Sequence, residues 1–362
     1  MKNKTNPISV MHIIPTLTKG GAERQLTFLA IKQKNKGYDV NIVIRKKGFF
    51  YKKLKDKVKV HVIGDYKFID FRLLFKLLKI IKLCKPNIIQ TWLPQMNVVG
   101  GIASLILNKI WVSTERTSEK YYLDKFRLIN LFQEKILPFS SALVANSKNG
   151  CLYWKKKILK KKIFLVKNAI DFVSIDKFKK KKYLIKRFNL ISVGRFEKSK
   201  GFNAVIRAIN EISLSNDINL KIIGYGTQKN KITDLINKLN LQKKIRVITD
   251  DGNWHKNLRH TGALISMSKF EGQPNVLLEA AAANCPLIIS DIPEHKEIFD
   301  KKSVIFVPLD DFKKLSTAIL FLFHKPKYAK KMVKSAKLKI NDMTIINQFT
   351  AYDKIYKNLL KI

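Results

Sequence analysis

The sequence predicts an α/β protein made of two Rossmann-like, doubly wound domains facing a central cleft. Three observations carry that expectation. Short apolar, strand-like runs alternate with amphipathic helical stretches along the chain. The alternation is interrupted by a lysine-rich stretch at residues 177–187 and then starts again. At 362 residues the chain is also longer than one hydrophobic core usually organises.

In the first half, ISVMHIIP (residues 8–15) reads as a strand and GGAERQLTFLAIKQKNKG (20–37) as a helix closed by Gly37. YDVNIVIRK (38–46) and VKVHVIG (58–64) read as the next strands, and DFRLLFKLLKIIKLCK (70–85) as an amphipathic helix. PNIIQTW, IWVSTER and SALVANS follow as strands, with NVVGGIASLIL as a helix between the first two. The second half repeats the pattern. NLISVGR, NLKIIGYG, KIRVIT, GALISMS and PLIISD are its strands, and GFNAVIRAINEI, KITDLINKLN and PNVLLEAAAAN its helices. This organisation predicts a first domain over 1–172, a linker over 173–187, a second domain over 188–345, and a terminal helix over 346–362 packing back on the first. Ligands of such folds sit at the carboxyl ends of the strands.

Composition narrows the function. Hydrophobic residues make up 46% and aromatics 10%, enough for real cores and too much for a disordered basic protein. Cys84, Cys151 and Cys285 are scattered and odd in number, which opposes a disulfide framework or a zinc site and fits a reducing compartment. Residues 1–7 are polar and lead straight into the first strand, so no secretory signal is expected. The longest apolar run, 98–107, is far shorter than the roughly 20 residues of a membrane span. A cytoplasmic protein able to touch a membrane is therefore expected. The net charge is +44, yet only ten of the 71 basic residues are arginine. Base reading favours arginine with planar aromatics, so attraction to an anionic inner membrane leaflet is the better use of this charge.

Four strand-to-helix turns carry glycine. Gly20 and Gly21 follow the first strand, where a backbone without Cβ can approach phosphate at a helix N-terminus. Gly194 to Gly201 contains Arg195 and Lys200, five residues apart, a pair able to clamp a diphosphate. Gly224-Tyr225-Gly226 is a short turn. The fourth, FEGQPNVLLE, places Glu271 in a loop and Glu279 about one turn into a helix begun near Pro274. That spacing does not make an acid–base pair; it presents two hydroxyl acceptors within an anion-binding region. The six histidines show no metal-ligand spacing and read as structural.

Taken in order, KGGAERQ, VKNAID, ISVGRFEKSKGF and EGQPNVLLEAAAANCPLIISD resemble the retaining glycosyltransferases of family 4, the GT-B enzymes that include polyprenyl-linked oligosaccharide and lipopolysaccharide sugar transferases. The resemblance covers nearly the whole chain. Its most specific element is the pair of glutamates separated by seven residues, Glu271 and Glu279. It implies that the first domain serves the acceptor and the second a UDP- or GDP-linked sugar. Arg195 and Lys200 would hold the diphosphate, with Gly20 and Gly21 at the first loop, and Glu279 would bind ribose. Glu271, with Gly272, Gln273, Pro274, Asn275 and Val276, would face the donor sugar, and Gly224 and Gly226 would shape the nucleotide wall. Glu23, Glu115 and Arg116 would lie on the acceptor or donor-sugar side, Arg116 where many relatives carry histidine. Asn284 stands where many relatives carry glycine. The resemblance implies no metal and no cofactor besides the donor, and transfer with retention to a lipid-linked or polysaccharide acceptor. A nucleotide-sugar epimerase of the same fold and a basic nucleic-acid-binding protein are the alternatives. The cations of 70–85 and of Trp154–Lys157 with Lys160–Lys162 are expected to lie against anionic headgroups.

Overall fold

Val10, Met11, Ile13 and Ile14 point to opposite faces of one strand, and all are buried. Such a strand needs cover on both sides, the condition of a parallel sheet between helical layers. The computed structural model describes residues 7–66, 70–116, 127–158, 162–179, 188–212, 217–250 and 252–362. The chain divides into two units, residues 1–169 with 343–362, and residues 170–342.

The first unit contains β1 (Ser9–Thr16), β2 (Asp39–Lys46), β3 (Lys59–Val62), β4 (Ile88–Trp92), β5 (Ile110–Glu115), β6 (Ala142–Ala145) and β7 (Ile163–Leu165). They form one parallel sheet in the order β3-β2-β1-β4-β5-β6-β7, with Val10 opposite Val40 on one side and Ile88 on the other. Helices α1 (Gly21–Asn35), α2 (Phe71–Cys84), α3 (Pro94–Ile106), α4 (Arg127–Ile136) and α5 (Lys148–Lys157) accompany it. In α2, the Asp70 side chain accepts from the Arg72 backbone N–H, which starts the helix, and left-handed Lys85 ends it. Leu73, Leu77 and Ile81 recur at helical spacing and are buried on the sheet, so the apolar stripe of this segment is core.

The second unit contains β8 (Phe188–Val193), β9 (Ile218–Gly224), β10 (Ile245–Thr249), β11 (Ala263–Ser266), β12 (Leu287–Ser290) and β13 (Ile305–Val307). Their order, β10-β9-β8-β11-β12-β13, reproduces the first six positions of the other sheet. Both sheets therefore reverse direction of build once, beside β1 and β4 in one unit and beside β8 and β11 in the other. These reversals are the switch points where doubly wound folds bind ligands. Helices α6 (Phe202–Ile212), α7 (Lys229–Lys238), α8 (Asn275–Ala282), α9 (Phe312–His324) and α10 (Pro326–Ile340) cover the second sheet. Asn284, after α8, has φ 58°, the left-handed geometry that asparagine tolerates.

The terminal helix, α11 (Ile345–Leu360), belongs to the first unit, where Phe349, Tyr352, Ile355 and Tyr356 enter the core beside Leu26, Trp92 and Val112. The segment expected as a linker includes a short helix, Phe172–Asp176, and residues 180–187 of it lie outside the described residues. The strands β7 and β13 and the helices α4, α5, α9 and α10 were not expected from the alternation. For α10 a signal existed: Ala329, Met332, Val333, Ala336 and Ile340 are buried at helical spacing beneath the lysines.

Candidate active site

Arg195 follows β8 after Gly194, and the chain then makes a single tight turn of helix, Lys198–Lys200, closed by Gly201 at φ 65°. A side chain at Gly201 would strike the Met267 carbonyl, and the Lys269 backbone N–H donates to the Ser199 carbonyl at 2.8 Å. The loops after β8 and β11 are thus sewn together at the switch point. The result is that Lys200 Nζ stands 2.5 Å from Glu271 Oε1, with the side chains only 20% and 16% exposed. Burial pushes the Glu271 carboxyl up. The Lys200 charge and hydrogen bond, His295 and the Ser268 hydroxyl outweigh it, and the group settles below its ordinary value. Glu271 is a carboxylate held ready, and Lys200 its counter-ion.

Arg195 is more open and reaches Glu197 Oε1 at 3.3 Å. Beyond Glu271, residues Gly272, Gln273 and Pro274 lead into α8, which starts at Asn275 and Val276 without a side-chain cap. An uncapped N-terminus directs its amides and partial positive charge at whatever lies before it. Glu279 falls in the second turn, its side chain only 8% exposed, with its Oε2 2.8 Å from His255 Nε2. The two glutamates are therefore set in different chemistry, one with a lysine in a loop and one with a histidine on a helix.

Gly224 and Gly226 have a backbone reason for being glycine. A Cβ on Gly224 would collide with the Gly194 carbonyl oxygen, and one on Gly226 would press on the Phe196 backbone. These contacts seat the β9 turn against the Arg195 loop, where Phe196 N–H donates to the Tyr225 carbonyl at 2.7 Å.

In the first unit the same positions look inward. Gly20 caps α1 without a side-chain bond and Gly21 begins it. Glu23 is buried, and its Oε1 accepts from Thr18 at 3.0 Å and Thr16 at 3.3 Å. Glu115 accepts from the Arg116 backbone N–H at 2.8 Å and from Gln133 at 2.9 Å. The Arg116 guanidinium donates to Asn168 Oδ1 and to the Tyr352 hydroxyl, both at 2.6 Å, and lies 4.8 Å from the Trp92 ring centroid. Arg116 thus ties α11 to the sheet.

Not all histidines are remote. His295 is fully buried, its Nδ1 2.9 Å from the Ser290 carbonyl, and its field contributes to lowering Glu271. Burial lowers the His295 pKa, against the opposing pull of the Glu271 charge. Sequence spacing could not reveal His255 or His295, because both approach the glutamates from other elements. Among the described residues, no group of three or more His, Cys, Asp or Glu is placed to hold a metal ion. Asp310 pairs with Lys269 at 2.8 Å, and Asp311 caps α9. Asp250 accepts from the Gly252 N–H, and Asp251 lies outside the described residues.

Comparison with known proteins covers both units. Residues 174–339 match the family model described as glycosyl transferases group 1, and residues 19–173 match glycosyltransferase family 4. An N-acetylgalactosamine-N,N'-diacetylbacillosaminyl-diphospho-undecaprenol 4-alpha-N-acetylgalactosaminyltransferase of Campylobacter jejuni is 30% identical over 298 residues, 77% of this chain and 79% of that protein. The capsular polysaccharide biosynthesis glycosyltransferase CapH of Staphylococcus aureus is 26% identical over 312 residues, 80% of this chain and 83% of that protein. Among solved structures, Anabaena HepE in complex with UDP superposes with a TM-score of 0.82 at 14% identity, covering 98% of this chain and 100% of that one. Sucrose-phosphate synthase from Thermosynechococcus elongatus gives 0.84 at 15% identity, covering 98% and 99%.

Proposed function

The chain belongs to the family 4 glycosyltransferases, and we propose that it moves a sugar from a UDP- or GDP-linked donor to a lipid-linked or cell-surface polysaccharide acceptor, with retention. The observation that carries this reading is the switch point of the second unit. Arg195, Lys200 and the uncapped start of α8 supply positive charge there, and Glu271 and Glu279 supply acceptors. The relatives' names, a transferase acting on a diphospho-undecaprenol glycan and a capsular polysaccharide enzyme, support the acceptor class.

In this mechanism the donor diphosphate takes up Lys200 and Arg195, which neutralise the charge that grows on the leaving phosphate. Lys200 has three donors, so it can bridge phosphate and Glu271 at once. Glu271 accepts from a hydroxyl of the sugar and fixes its orientation, and Glu279 accepts from the ribose. The acceptor hydroxyl attacks from the face the phosphate leaves. Its proton passes to that phosphate, so one bond forms and one breaks on the same side. With two cations and a helix end on the diphosphate, the reaction proceeds without a divalent metal.

The test is transfer from a panel of UDP- and GDP-linked hexoses and N-acetylhexosamines to an undecaprenyl-diphosphate glycan, with NMR of the new anomeric centre. One donor should be used with retained configuration, undiminished by EDTA. Inversion, loss of transfer in EDTA restored by magnesium or manganese, or epimerisation of the donor in place of transfer would overturn the corresponding part.

The first unit would bring the enzyme to its acceptor. No helix among the described residues is long and apolar enough to cross a membrane. However, Phe71 and Phe75 on α2 are 77% and 68% exposed, and Leu128 and Phe132 on α4 are also exposed. Both helices pack against α3. Lys155 and Lys156 on α5 are exposed as well, whereas Lys76 is held by the Ile63 carbonyl at 3.0 Å and the Tyr66 hydroxyl at 2.6 Å. Residues 160 and 161 of the second lysine cluster lie outside the described residues. Each lysine near an anionic leaflet contributes about 1 kcal/mol. Sedimentation with anionic vesicles should weaken steeply with salt and fall when Lys79, Lys155 and Lys156 become glutamine. Equal sedimentation with neutral vesicles would remove this attachment.

A further inference from the structure

Glu279 is held by a residue that no motif marks. His255 sits at the start of the tight helical segment Trp254–His260, which follows β10 in the sequence. Its Nε2 lies 2.8 Å from Glu279 Oε2, and the His255 side chain is 15% exposed. The ring has little freedom. It stacks on the buried Trp254 with centroids 4.3 Å apart at 29°, and on Phe178 at 6.1 Å and 24°. Trp254 is itself buried, and its backbone carbonyl accepts from Asn257 Nδ2 at 3.0 Å. An imidazole stacked on two aromatic rings donates its N–H along one direction only.

A carboxylate offers about four acceptor positions, and a diol needs two of them correctly aimed. A glutamate free to rotate about its last torsion would lose that aim. We propose that His255 is a positioning residue for the nucleotide. Its Nε2–H fixes Oε2 of Glu279, and the carboxylate plane so set meets the vicinal hydroxyls of a ribose. The role rests on the reading of Glu279 as the ribose acceptor. It explains why this glutamate is buried beside an aromatic stack while Glu271 is paired with a lysine. It also makes ribose against deoxyribose discrimination depend on His255, acting through Glu279.

The experiment is calorimetry of UDP and 2′-deoxy-UDP, and of GDP and 2′-deoxy-GDP, with wild type, Glu279→Ala, His255→Phe and His255→Gln. Phenylalanine keeps the stack and removes the donor; glutamine restores a donor. The ratio of ribo to deoxy affinity is the readout, because it does not depend on the fraction of protein that is folded. Wild type should prefer the ribonucleotide about tenfold, the scale of one hydrogen bond to a charged group. His255→Phe should cut the preference to about threefold or less, and His255→Gln should recover most of it. A preference abolished by Glu279→Ala but untouched by His255→Phe would overturn the role of His255 alone. A wild type that binds both sugars equally would overturn the ribose reading of Glu279, and this role with it.

Discussion

In the first unit the polar residues beyond β1 and β5 turn inward, Glu23 onto Thr16 and Thr18, Arg116 onto Asn168, Tyr352 and Trp92. In the second unit those beyond β8 and β11 meet one another at a half-open switch point, Lys200 on Glu271, with Arg195 beside them. The two sheets are wound in the same strand order. Topology therefore supplies two equivalent places, and the residues set at each distinguish them. An arginine buried under a tryptophan and bonded to a tyrosine of α11 stabilises. A lysine bonded to a carboxylate at a loop edge is exchangeable.

That contrast breaks if Arg116 proves to be a ligand residue. Arg116→Ala removes two charged hydrogen bonds and a ring contact, so the first unit should lose about 4 kcal/mol of stability. Denaturant unfolding should show that loss while calorimetry shows unchanged nucleoside diphosphate affinity. A folded variant with weakened nucleotide binding would reverse the assignment.

The inward character of the first unit has a pH signature as well. His12 lies inside β1, with Trp92 Nε1–H donating to Nδ1 at 3.2 Å and Gln33 Oε1 2.8 Å from Nε2, so the ring is neutral. Burial lowers its pKa from 6.5 to about 4, against the Gln33 hydrogen bond. Between those values the unfolded chain binds a proton that the folded one refuses. Stability contributed by this group is full above about pH 6.5, falls as pH drops and flattens below about 4, a loss on the order of 3 kcal/mol. Urea midpoints at pH 7.5 and 4.5 should differ more in wild type than in His12→Gln; parallel pH curves would contradict the buried neutral ring.

Much of this architecture is legible in the order of the residues alone. Periodicity locates most strands, and the glycine turns locate Arg195, Lys200, Glu271 and Glu279 because each turn sits at a strand's carboxyl end. What periodicity does not carry is direction. Arg116 and Arg195 both follow a strand, yet one is covered by a helix 236 residues away and the other is not. His255 and His295 escape for the same reason, since their partners are distant in sequence. β13 is three residues long and β7 likewise, too short for any period to register.

The exchangeable side of the comparison is sharpened by the clamp. Arg195→Ala and Lys200→Ala should each weaken UDP or GDP binding by about 1.5–3 kcal/mol. The lysine variant should also let the Glu271 carboxyl titrate higher, since burial then acts on it without its main counter-charge. Unchanged affinity in both variants would remove the diphosphate from this loop.

Everything proposed for the second unit depends on where a nucleoside diphosphate binds. Hydrogen exchange with and without saturating UDP or GDP reads this directly, amide by amide. Residues 194–201 and 270–279 of the second unit should slow markedly, and the strands around Arg116 should not change. Saturation that leaves both segments exchanging as in the free protein, with protection elsewhere, would contradict the central claim.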